Sequence, residues 1–375
     1  MNSTGNHSSI KAIGIAVPPN KISQSNHYSI LENANGLTRE EKLRLRKIYS
    51  KSGIDNRYSV LSEFGNDHFA DHILFDPTGI NPSLAISKRM NLFDEYALNL
   101  SEIATLDCFN KINNFDRSVI THVITFSCTG MSAPGLDIQL IERLGLNRNV
   151  ERTCINFMGC YAAFNAIKVG DHITQSVDEA VVLIVGVELC TLHYNKSKEP
   201  DQVVANAIFA DGAAAAIISK REFITDHIMF KLLNFYSEFE PAGNKDMVWR
   251  IGDTGFDLRL SSYVPELLQN VMNDFIEKLF DRSKLTSNDI DYYALHPGGV
   301  KILEACEIAL NITPLQNKIS YDVLRNYGNM SSVTILFVLN QYINSLKSDD
   351  ANKKIVSCAF GPGLTMESMI LEIAS

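Results

Sequence analysis

The sequence predicts an α/β fold made of two similar halves, and three observations carry that expectation. Runs of strand length such as Val181–Val187 are wholly apolar, so the sheets they form must be covered on both faces. These runs alternate with stretches of helical periodicity. A short echo also recurs: Phe209-Ala210-Asp211-Gly212 and Phe360-Gly361-Pro362-Gly363 each separate two strand-like runs, as a duplicated half would require.

At 375 residues, 45% of them hydrophobic and 21% charged, the chain has room for one large domain or two ordinary ones with substantial cores. Residues before Ile10 read as a frayed polar tail, and Ile10–Val17 as a strand stopped by Pro18-Pro19. Arg39–Ser52 has the pattern of a basic amphipathic helix, with Leu43 and Ile48 on its apolar side. Asn91–Asn110 repeats the helical period, and Val119–Phe126 is an apolar strand leading into the polar turn Ser127–Pro134. Asp137–Leu144 is helical and ends at Gly145, a C-cap candidate.

Cys160 is expected to open a helix running to Ile173, followed by strands at Ala180–Val187 and Gly212–Ser219. The rhythm then repeats with a helix at Pro265–Phe280, a strand at Tyr292–Leu295, and helices at Lys301–Leu310 and Ser331–Leu346. Strands at Ile355–Phe360 and Met366–Ile373 close the chain. With no low-complexity linker between them, the halves are expected to pack tightly as residues 10–222 and 223–375, with a soft boundary at Lys220–Thr225.

A net charge of −9 argues against a general nucleic-acid binder, because phosphate contacts need clustered Lys and Arg. No early segment combines a basic head, an apolar core and a cleavage site, and no apolar run is long enough to span a bilayer. A cytoplasmic enzyme with no membrane span is therefore expected. The seven cysteines are scattered through apolar segments without zinc-site spacing, as reduced core residues would be. His68 and His72 have the separation of a helical metal pair, but the glutamate of that motif is missing. Gly361-Pro362-Gly363 lacks the third glycine of a dinucleotide fingerprint, and Asp211 beside Gly212 reads as a turn residue.

Three polar residues stand in defined settings. Cys160 follows Gly159 and precedes the small residues Ala162 and Ala163; a helix N-terminus there would lower the thiol pKa and favour the thiolate nucleophile. The bland alternative is an inert buried cysteine; Cys154, which lacks the glycine and the helix start, is the comparison. His296 ends an apolar strand before Pro297-Gly298-Gly299, where an imidazole can pair with a thiolate or bond a carbonyl; a lone histidine is otherwise a core or capping residue. Asn329, between Gly328 and Met330, is by itself an N-cap. Together a thiol, an imidazole and a carboxamide are the parts of a cysteine acyltransferase that stabilises an oxyanion or enolate. A papain-like protease shares the spacing, but its cysteine lies near the mature N-terminus in a different motif.

From Ile10 to Ile373 the chain resembles the type III polyketide synthases, the chalcone synthase-like enzymes of the thiolase superfamily. The resemblance is carried by Met158-Gly159-Cys160, Ala294-Leu295-His296-Pro297-Gly298-Gly299, Tyr327-Gly328-Asn329-Met330-Ser331-Ser332 and Phe360-Gly361-Pro362-Gly363-Leu364-Thr365. It implies a thiolase-like fold, with two halves packed as αβαβα layers, and a homodimer. It also implies Cys160 as acyl-bearing nucleophile with His296 and Asn329, and Phe209 and Phe256 at the junction of tunnel and cavity. Cys190, His193, Met247 and Ser331 fall near cavity-lining positions, and the Gly363 loop is expected to shape the cavity floor. Arg44, Lys47 and Lys51, with Lys301, match positions that hold the phosphates of coenzyme A.

The implied reaction loads an acyl-CoA starter and extends it with malonyl-CoA, with no metal or nicotinamide cofactor. His193 departs from the small hydroxyl residue of plant members, which points away from a flavonoid product. Ala133 replaces a bulky residue that reaches across the dimer interface, which makes room for a long starter and an alkylpyrone or alkylresorcinol product. Two alternatives remain: a ketoacyl synthase III-like enzyme making one extension, and a non-catalytic thiolase-like protein that binds acyl chains.

Overall fold

The structure, a computed structural model, describes residues 7–34, 36–65, 72–74, 84–195, 199–261 and 263–375. His68 lies outside the described residues, and among those described no group of three or more His, Cys, Asp or Glu side chains could hold a metal ion. No helix among them is long and apolar enough to cross a membrane.

In chain order the elements are β1 (Ser9–Ala16), β2 (Asn20–Ser23), α1 (Gln24–Ala34), α2 (Arg39–Ser50), β3 (Asn56–Ser59), α3 (Ile86–Asn110), β4 (His122–Ser127), α4 (Leu136–Leu144), β5 (Glu151–Asn156), α5 (Ala162–Ser176), β6 (Val181–Leu189), α6 (Pro200–Ile208) and β7 (Asp211–Ser219). The second half comprises β8 (Met229–Phe239), β9 (Met247–Ile251), β10 (Phe256–Leu260), α7 (Val264–Ser283), β11 (Tyr292–Leu295), α8 (Val300–Leu310), α9 (Lys318–Tyr327), α10 (Thr334–Ser345), β12 (Lys354–Gly361) and β13 (Thr365–Ala374).

One nine-stranded sheet runs β11-β12-β13-β8-β1-β7-β6-β4-β5, while β2-β3 and β9-β10 form separate two-stranded sheets. The large sheet contains its own repeat. Outward from β1 come β7 and β6, both antiparallel to their neighbours, then β4, parallel. Outward from β8 come β13 and β12, both antiparallel, then β11, parallel. The two half-sheets meet where Ser9 and Ile10 of β1 pair with Lys231 and Phe230 of β8. Duplication is therefore written in strand order. The quoted sequence echo falls in the matching connections, β6 to β7 and β12 to β13, but out of register: Asp211 and Gly212 open β7, whereas Phe360 and Gly361 close β12.

Helices cover the sheet as expected for strands that are apolar on both faces. One core joins α5 and α10 to strands of both half-sheets, through Phe164, Ile167, Ile335 and Phe337 with Ile184, Ala214 and Met369. A second packs α3 and α4 on the first half, and a third packs α7 and α8 on the second. The layers are thus helix, half-sheet, a shared helix layer, half-sheet, helix. Gly145 closes α4 in the left-handed region at φ 62°, and Leu146 N–H reaches back to Ile141 C=O at 2.9 Å, the expected C-cap.

Four expectations need correction. On α2 the buried residues are Leu45 and Tyr49, while Leu43 is 59% exposed; the charged flanks hid the true stripe. Val119 belongs to a short 3-10 turn and β4 begins at His122. Ser331–Val333 is likewise a 3-10 turn that precedes α10. Asp211 is no turn residue but the first residue of β7. Its buried carboxylate accepts N–H bonds from Thr191 and Val60 and an O–H bond from Thr191, tying β7 to the loops around it.

The chain leaves no room for a side chain where β1 crosses α3. A Cβ on Gly14 would lie 2.1 Å from Ala104 O and 2.2 Å from Cys108 N, both helix backbone atoms that cannot swing away. Gly14→Ala is expected to lower stability by about 1–3 kcal/mol or more through overpacking, read as a lower urea midpoint. An unchanged midpoint would mean that α3 does not pack this closely.

Candidate active site

The chain reaches Cys160 through a turn that only particular residues allow. Phe157 has φ 63° and Gly159 φ 95°, both in the left-handed region. A Cβ on Gly159 would sit 2.2 Å from Pro362 Cδ, so the turn packs against the loop after β12. Gly159 N–H donates to Cys128 Sγ at 2.9 Å, fixing the turn to the end of β4. Helix α5 starts at Ala162, two residues beyond Cys160.

His296 extends β11 by one ladder bond, His296 N–H to Cys358 C=O at 2.8 Å. Its side chain is 1% exposed, and neither ring nitrogen has a hydrogen-bond partner. Asn329 follows α9 through Gly328 at φ 73°. Its Oδ1 accepts Ser331 N–H at 2.8 Å and Thr334 O–H at 3.4 Å, while Nδ2 donates to Gly298 C=O at 3.3 Å. Asn329 is not the N-cap expected of a lone asparagine, since Met330 holds that position before the 3-10 turn and Val333 before α10; its bonds instead aim the amide at the turn after His296. An isolated parallel bridge between Phe209 and Asn329 ties this loop to the first half.

One cavity takes in all three residues, with about 1060 Å³ of space measured out to its open mouth. Cys160, His296 and Asn329 line it, as do Ser331, Phe209, Phe256, Cys190, His193 and Met247. Cys160 Sγ lies 3.7 Å from Ser331 Oγ. Other candidates stand apart from it. Gly363 is not on the wall, although Phe360 and Pro362 of the same segment are. Ala133 is exposed on the loop before α4. Arg44, Lys47, Lys51 and Lys301 are exposed as well. Gly53, three residues beyond α2, abuts Val300, and Lys301 follows Val300 in sequence between the cavity residues Gly298 and Ile302.

Burial sets the charge states. It pushes the Cys160 thiol up to about 12, helped by the nearby Glu188 carboxylate and opposed by the Ser331 hydroxyl. It pushes the His296 imidazole down to about 3. The expected lowering of the thiol by a helix terminus is thus overturned, because Cys160 stands outside the first turn of α5 and desolvation dominates. Burial thus favours the neutral thiol and the neutral imidazole. The imidazole has its lone pair free, so it can take the thiol proton as sulfur attacks.

Sequence reasoning missed Glu188, Cys128 and Trp249. Glu188 is fully buried at the end of β6; its carboxylate accepts the Ser332 hydroxyl, the Thr129 hydroxyl at 2.9 Å and Cys128 N–H at 3.0 Å. Its signal was a lone acid in the apolar run Val181–Leu189. Trp249, like the hairpin β9-β10 that carries it, gave no periodic signal.

The chain matches the family model "Chalcone and stilbene synthases, N-terminal domain" over residues 2–221 and its C-terminal counterpart over residues 231–374. It is 30% identical to "Probable polyketide synthase 1" of Dictyostelium discoideum, covering 98% of this chain but 12% of that protein. It is 28% identical to "Alpha-pyrone synthesis polyketide synthase-like Pks18" of Mycobacterium tuberculosis, covering 89% of this chain and 83% of the relative. "Type III polyketide synthase 21" of Oryza sativa subsp. japonica is 30% identical over 88% and 84%. Among solved structures, the C-terminal type III polyketide synthase domain of Steely1 from Dictyostelium superposes with a TM-score of 0.87 at 28% identity, covering 98% of this chain and 99% of that one. A polyketide synthase from the brown alga Ectocarpus siliculosus gives 0.90 at 27% identity, covering 98% of each chain.

The proton path can be tested by alkylation. With a thiol pKa near 12 and no acceptor, the thiolate fraction rises tenfold per pH unit through the neutral range. His296→Ala is therefore expected to react with iodoacetamide about tenfold or more slower than wild type at neutral pH, its rate climbing about tenfold per pH unit towards alkaline pH. Coincident wild-type and variant profiles would remove His296 as the acceptor.

Proposed function

The chain belongs to the chalcone and stilbene synthase family, and from that membership we propose that it works as a type III polyketide synthase using Cys160, His296 and Asn329. The observation that carries the reading is the His296 imidazole, buried with both nitrogens unpartnered in the cavity that also holds Cys160. A buried polar group without a partner is costly, and a ligand that bonds it recovers that cost.

The reaction begins when Cys160 Sγ attacks the thioester carbonyl of an acyl-CoA. His296 takes the thiol proton and returns it to the departing coenzyme A thiolate. Malonyl-CoA then binds with its thioester oxygen facing the ring N–H of His296 and the second Asn329 Nδ2–H, while the other ring nitrogen is the one that served as base. Loss of CO2 leaves an enolate whose negative oxygen those two donors stabilise, strongly because the pocket is apolar and poorly hydrated. The enolate carbon attacks the Cys160 thioester, the C–S bond breaks, and the lengthened chain leaves on coenzyme A to be reloaded for another round. Arg44, Lys47, Lys51 and Lys301 would hold the cofactor phosphates outside the mouth.

The proposed product is a pyrone or resorcinol with an alkyl tail. It is supported by the mycobacterial relative named for alpha-pyrone synthesis and by the largely apolar cavity wall. A homodimer is supported by β5. It forms the sheet edge, and apart from the half-buried Ile155 all its residues are exposed, whereas its neighbour β4 is buried throughout. An unprotected edge of this kind is a template for pairing with a second strand. Ala133 lies in the segment between β4 and β5 and would face the partner.

Labelled acyl-CoA should leave a covalent adduct on wild-type protein and none on Cys160→Ala; a retained adduct in the variant would move the nucleophile elsewhere. His296→Ala and Asn329→Ala should each lose roughly a hundredfold to a thousandfold in malonyl-CoA decarboxylation. Normal decarboxylation in both would end the enolate assignment, and product masses would separate one extension from several. Light scattering should give twice the 41.8 kDa chain mass. Thr153→Lys on the β5 edge should shift the species towards monomer, and an unaffected dimer would place the interface elsewhere.

A further inference from the structure

Among the described residues that line the cavity, Arg57 alone carries a permanent charge. It lies on the short strand β3, is 4% exposed, and burial pulls its pKa down. A buried guanidinium is costly unless its donors are met. Here backbone and a neighbouring ring meet them. Nη1 donates to Asn206 C=O at 2.8 Å and to Phe209 C=O at 2.7 Å, at the C-terminal end of α6, where a helix leaves carbonyls without partners. Nη2 donates to Nδ1 of the buried His27. The negative end of the α6 dipole thus meets the cation.

The backbone that Arg57 grips is the backbone on which Asn329 hangs. Asn329 N–H donates to Ile208 C=O, and Ala210 N–H donates to Asn329 C=O, both at 2.9 Å. Arg57 holds the residue between those two bonds. At the far end of the same segment, the Asp211 carboxylate accepts the N–H of Val60, just beyond β3, at 2.9 Å. The β3 strand also reaches Asn329 from the other side. A Cβ on Gly328 would lie 3.0 Å from Arg57 Cγ, so the arginine stem packs against the residue before Asn329. Tyr58 stacks on Tyr327 at 5.9 Å, one residue further back. Both supports of Asn329 therefore rest on Arg57.

We propose that Arg57 is a positioning residue for Asn329: by fixing the Ile208–Ala210 backbone and the Gly328 turn together, it sets where the Asn329 amide points in the cavity. The inference rests on the role of Asn329 in the proposed decarboxylation, and it gives Arg57 no part in loading Cys160. A donor displaced by about 1 Å costs about a hundredfold in rate, so lost support shows first in the step that uses the amide.

The test compares two steps in the same full-length preparations. One is malonyl-CoA decarboxylation; the other is acyl loading of Cys160 from labelled acyl-CoA, read by intact mass. Arg57→Met keeps the stem and removes the donors. It should lower kcat for decarboxylation about tenfold to a hundredfold, while loading stays within about threefold of wild type. Arg57→Lys, which restores a charged donor, should recover part of the loss. In an Asn329→Ala background Arg57→Met should add little, because nothing is left for it to position.

Equal losses in both steps, a fully additive loss in the double variant, or decarboxylation unchanged in Arg57→Met would each overturn the proposal. Should Arg57→Met fold poorly, the same comparisons pass to Arg57→Lys, whose loss must likewise be confined to decarboxylation. Normal decarboxylation in Asn329→Ala would bring down the enolate assignment and this inference with it. A loss there with none in the Arg57 variants would strike Arg57 alone.

Discussion

Helices α5 and α10 are buried between the two half-sheets, and the site depends on that shared layer. Their side chains pack into a single core with strands of both halves, and Phe164, Ile335 and Leu336 are fully inaccessible. Neither helix can shift without opening that core, so the segments entering them are held in fixed register. That is how Cys160 and Ser331, separated by 171 positions, come within 3.7 Å. The Glu188 carboxylate sits under the junction and bonds Ser332 from one half and Thr129 and Cys128 from the other. A buried carboxylate is tolerable only with such a set of donors, and the same bonds hold the two loops against each other.

The dryness that this packing creates acts on every charge in the cavity. It favours the neutral forms of the thiol and the imidazole. It also strengthens any hydrogen bond made to a developing anion, since little water competes for it. The nitrogens of His296 are left unsatisfied by the protein itself.

The two sides of the cavity come from different parts of the chain. Cys160, His296 and Asn329 belong to segments anchored in the nine-stranded sheet or wedged against it. The wall facing them is a two-stranded hairpin attached through a few side-chain bonds, among them Trp249 to Cys128 and Gln202 to Leu258 C=O. Substitutions in the hairpin can reshape the chamber while the reacting groups stay in place.

Much of this was legible beforehand. The apolar runs at Val181–Val187 and Ile355–Phe360 were read as strands because residues buried on both faces leave an unbroken signature. Gly145 announced the end of α4. Elements with one polar face or a solvent edge left no such mark, which is why β5, α6, α9 and the β9-β10 hairpin went unread. Cys160, His296 and Asn329 stood out from their glycine-rich settings, since sharp turns and close approaches restrict residue choice locally. The sequence by itself thus determined the fold class, the paired halves and which three polar groups to consider. Tertiary structure alone decided that they share one cavity, that burial favours the neutral thiol and imidazole, and that Trp249 and Glu188 belong beside them. Burial, desolvation and wall contacts arise from residues far apart in the chain, and no local pattern records them.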